Sequence, residues 1–224
     1  HELDEYIETQ LLPAWNTGKA RRMNSAYRAV VFQRRQAKKR GDIAAFNDYT
    51  VTMRQLPSQD MHDPGYRRLK YVRYADDFLL GCVGTKAEAQ AVLNNIESFL
   101  NNHLHLQVSP EKSRITHAKT QCAHFLGYGV SVYANVSSKI TGLRRSANGR
   151  VTLRLPERYV ETESRAWEKN GSPRIDGKAL NYSVEEALVY YQLRYRGIVN
   201  YYQYAVDVHE LARLKYAMER SLVH

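Results

Sequence analysis

The stretch Leu69-Lys70-Tyr71-Val72-Arg73-Tyr74-Ala75-Asp76-Asp77-Phe78-Leu79-Leu80-Gly81-Cys82-Val83 decides the fold. Leu69 to Tyr74 and Phe78 to Val83 are short runs rich in β-branched and aromatic residues, joined by the acidic tip Ala75-Asp76-Asp77. The pattern predicts a β-hairpin. Two adjacent carboxylates at the apex of an otherwise apolar hairpin repel each other unless a cation sits beside them. A divalent metal is such a cation. In phosphoryl and nucleotidyl transfer, a few aspartates on a rigid β scaffold hold Mg2+ ions that activate the attacking oxygen and stabilise the leaving one. On Asp76 and Asp77 alone an ordinary Asp-rich turn fits equally well, so the flanking sequence has to decide.

Outward from the hairpin, Thr85-Lys86-Ala87-Glu88 forms a capping box, and Val92, Leu93, Ile96, Phe99 and Leu100 follow at helical spacing, which predicts a helix from about 86 to 102. Upstream, residues 3–15 read as a helix closed by Gly18, a second helix spans 24–40 and ends at Gly41, and a third amphipathic series from Ile43 stops at Pro57. Residues 58–65 are a loop by their turn chemistry. Downstream, Leu104 to Val108 reads as a strand, Ser109 to Lys112 as a turn, and Ala123 to Tyr133 as one strand bent at Gly127 and Gly129. Hairpin, covering helix and further strands make an α+β layer. Composition then shifts to Ser, Lys, Gly and Arg, and a boundary is placed near 137. The last third reads as helical, over 156–169, 183–205 (opened by the capping box Ser183 to Glu186) and from Asp207 onward.

Charge is concentrated. The chain has 224 residues, 33 Lys+Arg against 23 Asp+Glu, and a formal charge of +10. The segment 18–40 carries Lys19, Arg21, Arg22, Arg28, Arg34, Arg35, Lys38, Lys39 and Arg40 with no acid, a charge of +9. A second stretch, 139–158, adds +5 through residues that include Arg144 and Arg145, and the remainder is −4. Clustered cations on a slightly acidic background are the footprint of a polyanion binder, because they gain by releasing counterions from phosphates. A solvated basic helix face is the bland alternative. The longest apolar run, Phe78 to Val83, is far short of the ~20 residues that cross a bilayer, so no membrane partner is expected. Two cysteines without CxxC spacing suggest neither a disulfide framework nor a cysteine zinc site, and a reducing compartment, bacterial cytoplasm or an organelle, fits. Seventeen tyrosines suit wet, stacked surfaces.

The flanks of the acidic tip carry a resemblance. Tyr71 to Gly81 with Tyr74-Ala75-Asp76-Asp77 at its centre closely resembles the catalytic motif of reverse transcriptases, in the form found in group II intron-encoded proteins. Leu56-Pro57-Ser58, Asp63-Pro64 and Tyr66-Arg67-Arg68-Leu69 resemble the approach to that hairpin. Ser109-Pro110-Glu111-Lys112-Ser113 with Ile115-Thr116-His117 is similar to the next palm motif, and Phe125-Leu126-Gly127-Tyr128 to the primer grip. Tyr195 to Tyr202 and Leu214-Lys215-Tyr216 resemble the thumb, or maturase domain X. The resemblance implies an α+β fold: a partial reverse-transcriptase palm, of β-hairpin and short antiparallel sheet covered by helices, followed by a helical thumb. It divides the chain into a basic helical segment (1–65), the palm (66–136) and the thumb (137–224). It makes Asp76 the main metal ligand and Asp77 a secondary one in a two-Mg2+ site, and Lys112 the proton donor to departing pyrophosphate, although Lys112 reads equally as a solvated turn lysine. Tyr74 would lie near the primer terminus or incoming nucleotide, and Gly127 and Tyr128 in the primer grip. Arg196 is the phosphate contact expected on the thumb.

The implied partners are intron RNA, an RNA template with its DNA primer, and dNTPs. The family's two-metal site also uses a carboxylate from an earlier strand, which the resemblance places upstream of His1, so the chain reads as the back half of a larger enzyme that is inactive alone. Two functions stay open: an RNA-directed DNA polymerase that is also a maturase, and a non-polymerising maturase-type RNA-binding splicing factor.

Overall fold

Alternation along the first strand sets the layout. In β1 (Arg68–Tyr74), Leu69, Tyr71 and Arg73 face one way and Arg68, Lys70, Val72 and Tyr74 the other. β1 pairs antiparallel with β2 (Asp77–Val83) from Arg68↔Val83 to Tyr74↔Asp77. The computed structural model describes residues 1–109, 111, 113–133 and 149–224. Lys112, Lys139, Arg144, Arg145 and the boundary expected near 137 lie outside the described residues. The fold is α+β with small antiparallel sheets, and the described residues pack as two compact units, one of 1–115 and one of 116–133 with 149–224.

In the first unit the Leu69 face of the hairpin is covered. α1 (Glu2–Tyr6) and α2 (Leu12–Trp15), joined by a π-helical turn at Ile7–Leu11, bring Leu3, Ile7 and Leu11 onto Leu69. Pro13 has no N–H for the carbonyl one turn back, and the ladder widens just before it. α5 (Lys86–His103), opened by the expected Thr85/Glu88 capping box, adds Val92, Ile96 and Leu100 to the same core. Leu69 and Ile96 are fully buried, each worth roughly 1.5–3 kcal/mol relative to exposure. Between α2 and β1 the chain makes a helical hairpin, α3 (Ser25–Lys39) and α4 (Ile43–Gln55), capped by Asn24 and Asp42 and reversed at Gly41 with φ +74°. Leu104 to Val108 is not a strand. His105 adopts φ +54°, and the Leu106 N–H turns back to the Leu100 carbonyl, so this stretch terminates α5.

In the second unit the stretch read as one bent strand is a hairpin, β3 (Ala123–Phe125) and β4 (Tyr128–Val132), reversed through Leu126 and Gly127 at φ +47° and +71°. Positive φ at both loop positions matches the right-handed twist of the strands. β5 (Val151–Arg154) completes a three-stranded sheet. The helix expected over 156–169 shrinks to α6 (Tyr159–Ser164). After it, β6 (Glu168–Lys169) and β7 (Ser172–Pro173) form a small hairpin around Asn170-Gly171, both at positive φ. α7 (Val184–Tyr201) and α8 (Leu211–Leu222) pack with Trp167 around a core that includes Tyr191, Tyr202, Leu211, Leu214 and Met218. Among the described residues no helix is long and apolar enough to cross a membrane.

Candidate active site and nucleic-acid interface

The acidic tip is a two-residue loop. Tyr74 pairs with Asp77 across the ladder, leaving Ala75 and Asp76 to reverse the chain. Ala75 sits at φ +54°, a conformation that costs a Cβ-bearing residue about 1–2 kcal/mol. The sequence thus accepts strain where Gly or Asn would remove it, beside two carboxylates. Tyr74, Asp76 and Asp77 are all exposed, and among the described residues neither aspartate has an ion-pair partner.

The nearest cation in sequence is committed elsewhere. Arg73 points to the covered face, where its Nη2 lies 2.9 Å from Asp4 Oδ2, and Tyr71 Oη donates to Asp4 Oδ1 at 2.8 Å. One α1 carboxylate therefore clamps two residues of β1, and Arg73 is engaged away from the tip. Burial first, and the Asp4 carboxylate second, push the Tyr71 hydroxyl up to about 12. Nothing in the sequence around Asp4 marks it for this role. Two adjacent hard oxygen donors, exposed and without a protein counter-ion, suit Mg2+, which takes one or two carboxylates and completes its shell with water and substrate phosphates. Among the described residues no group of three or more His, Cys, Asp or Glu is placed to hold a metal.

The basic residues divide by partner. Arg22 is paired: its Nε reaches Asp63 Oδ1 at 3.0 Å, and its backbone N–H donates to Asp63 Oδ2 at 2.7 Å. Asp63 is buried, and the N–H groups of Arg22 and Gly65 hold its carboxyl below the usual range. Arg34 lies over the Phe46 ring, 4.7 Å from its centroid, in the α3–α4 contact. Arg28, Arg35, Lys38, Lys39 and Arg40 are exposed along α3 and its end, with no carboxylate partner among the described residues. Arg21 stands over Tyr66 at 5.1 Å.

In the second unit the β3–β4 turn is tied to α7. Tyr201 Oη donates to the Leu126 carbonyl at 2.7 Å, Tyr202 Oη to the Gly127 carbonyl at 3.3 Å, and Tyr128 Oη to the Tyr201 carbonyl. A Cβ on Gly127 would stand 3.2 Å from Tyr201 Oη. Arg196 is exposed on α7. Tyr191 and Tyr202 are core, while Tyr201 and Tyr204 remain more than half exposed.

Residues 44–130 match the family described as Reverse transcriptase (RNA-dependent DNA polymerase), and residues 154–224 match Type II intron maturase. Over 99% of its length the chain is 31% identical to the Group II intron-encoded protein LtrA of Lactococcus lactis subsp. cremoris, of which it covers 39%. It is 31% identical to the COX1/OXI3 intron 1 protein of Saccharomyces cerevisiae over 75% of the chain and 22% of that protein. With the COX1/OXI3 intron 2 protein of the same yeast it shares 26% identity over 92% of the chain and 25% of that protein. The chain spans less than half the length of these curated relatives.

Proposed function

We infer, for a chain that belongs to the family of group II intron-encoded reverse transcriptases and maturases, a role in RNA-directed DNA synthesis and in binding intron RNA. The observation that carries this reading is the exposed, uncompensated Asp76-Asp77 tip on a hairpin whose other face is clamped and packed. When bound there, Mg2+ would polarise the reacting phosphate and neutralise charge on the leaving group. Asp76 is its main ligand in this reading and Asp77 a secondary one. Tyr74, across the ladder from Asp77, lies beside the primer terminus or the incoming dNTP.

Residues 66–136 form the palm in this proposal and 137–224 the thumb. Gly127 and Tyr128 hold the primer, with their turn fixed by Tyr201 and Tyr202. Lys112 protonates the leaving pyrophosphate. Template, primer and intron RNA meet the free cations of α3, Arg144, Arg145 and Arg196.

Primer extension on poly(rA)/oligo(dT) by the chain in its full reading frame tests the proposal. Wild type should extend, and Asp76→Ala should lose extension while keeping RNA affinity. A wild-type protein that binds RNA tightly without extending would overturn polymerisation in favour of a splicing factor.

A further inference from the structure

We propose that a basic cleft at the base of the catalytic hairpin, between residues 16–21 and the start of β1, holds the phosphodiester backbone of a nucleic-acid strand through Lys19, Arg21 and Lys70. The inference rests on the nucleic-acid role proposed above and assigns it a site outside the acidic tip and outside the exposed α3 cations.

The cleft has a volume of about 590 Å³, and its lining includes Lys19, Arg21, Arg68 and Lys70 but no acid. That volume falls within the ~300–1,000 Å³ typical of ligand sites and accommodates a nucleotide unit. Carboxylates are close in sequence yet committed: Asp63 to Arg22, and Glu88 to Arg67 at 2.7 Å. The four lining cations have no carboxylate partner among the described residues. A concave wall with charge of one sign focuses its field and draws an anion.

The walls are fixed before any ligand arrives. Thr17 and Arg67 exchange backbone hydrogen bonds at 3.1 and 3.2 Å, and Gly18, at φ +73°, approaches Gly65 so closely that a Cβ would stand 2.3 Å from the Gly65 carbonyl oxygen. Arg68 donates to the carbonyls of Thr17 and Gly18, so it braces the loop and contributes field without needing to touch the ligand. Its guanidinium lies 4.3 Å from the Tyr66 centroid and that of Arg21 lies 5.1 Å away, so one ring orients both.

The geometry favours a strand over a small anion. Lys70 belongs to the open face of β1, which continues through Val72 to Tyr74 in steps of roughly 6.6 Å per two residues. Val72 and Tyr74 are 50% and 66% exposed, apolar and aromatic surface on which bases can lie between the cleft and the tip.

Fluorescence anisotropy with fluorescein-labelled oligouridylate, titrated across a salt series on the 224-residue chain, tests the site. The variant Lys19→Ala/Arg21→Ala/Lys70→Ala should bind about tenfold or more weakly, with the log K against log salt slope shallower by up to about 2, since each single-strand phosphate contact contributes ~0.7. Tyr66→Leu should weaken binding and Tyr66→Phe should not, because only the ring orients the guanidiniums. Arg35→Ala/Lys38→Ala/Lys39→Ala serves as the comparison. If that variant loses affinity while the cleft variant keeps wild-type affinity and slope, the cleft assignment is wrong and the nucleic-acid role stands. No binding by wild type overturns both. Calorimetric binding of ATP that vanishes in the cleft variant, with oligouridylate affinity unchanged, would reassign the cleft to a free polyphosphate and overturn the strand proposal.

Discussion

Replacing Asp4 tests whether the catalytic hairpin owes its set to α1. Asp4 accepts from Tyr71 Oη at 2.8 Å and pairs with Arg73 Nη2 at 2.9 Å, and the Arg73 and Asp4 side chains are 27% and 29% exposed. Hydrogen bonds to charged groups contribute about 1.5–3 kcal/mol, and fully exposed ion pairs about 0–1. With two bonds in a half-buried setting, Asp4→Ala should cost about 2 kcal/mol. Asp4→Asn, which keeps an acceptor for Tyr71 but loses the attraction for Arg73, should cost about 1. A double-mutant cycle with Tyr71→Phe should return a coupling of about 1 kcal/mol. Hydrogen exchange read by mass spectrometry on the peptide covering β1 and β2 reports the local opening free energy, and 2 kcal/mol corresponds to roughly thirtyfold faster exchange. Alkaline titration is a second readout. Burial first, and the Asp4 carboxylate second, raise the folded-state pKa of Tyr71 to about 12 from its ordinary 10, so the stability that the two give together is complete below pH 10 and is lost as pH rises through 12. Exchange in Asp4→Ala within twofold of wild type, or no loss of protection between pH 10 and 12, would refute the clamp.

Ala75→Gly should stabilise the hairpin by about 0.5–1 kcal/mol, because relief of the left-handed cost exceeds the added unfolded-state entropy. Its strand amides should exchange more slowly, and faster exchange would contradict a positive φ at Ala75. Gly127→Ala should destabilise the second unit by about 1–3 kcal/mol, from φ +71° and the Tyr201 hydroxyl in the path of a Cβ, and urea unfolding followed by tyrosine fluorescence measures it. Asp63 has its carboxyl pKa lowered, so its contribution is present above the ordinary carboxylate range and is lost as pH falls through the lowered value. Asp63→Asn should therefore flatten the acid limb of the stability profile, and an unchanged limb would remove Asp63 as its source.

Local patterns were the legible part. The β1–β2 hairpin with its acidic tip, the Thr85/Glu88 and Ser183/Glu186 capping boxes and the α3 charge run are contiguous signals, and each appears where expected. Asp4 was opaque because its partners are 67 and 69 residues away and no periodicity announces an ion pair. Arg22 looked like its neighbours in the basic run, and only the fold brings Asp63 to it. Leu126 is an improbable residue for a left-handed turn, so the β3–β4 reversal was read as a bend; hydroxyls from α7 hold it in place. Asn170-Gly171 was different, a plain hairpin signal at the edge of the residues 156–169 that were read as helix.

The three hydroxyl–carbonyl bonds between the β3–β4 turn and the end of α7 also have a mechanical meaning. They run in both directions, from turn to helix and from helix to turn, and Tyr128 and Tyr201 stack at 5.7 Å between them. Such a joint has little slack. A torque that rocks the C-terminal end of α7 is delivered to Leu126 and Gly127 in the same stroke, and a load on the turn is returned to the helix. Stiffness at this joint, set by three tyrosines, makes turn and helix a single lever.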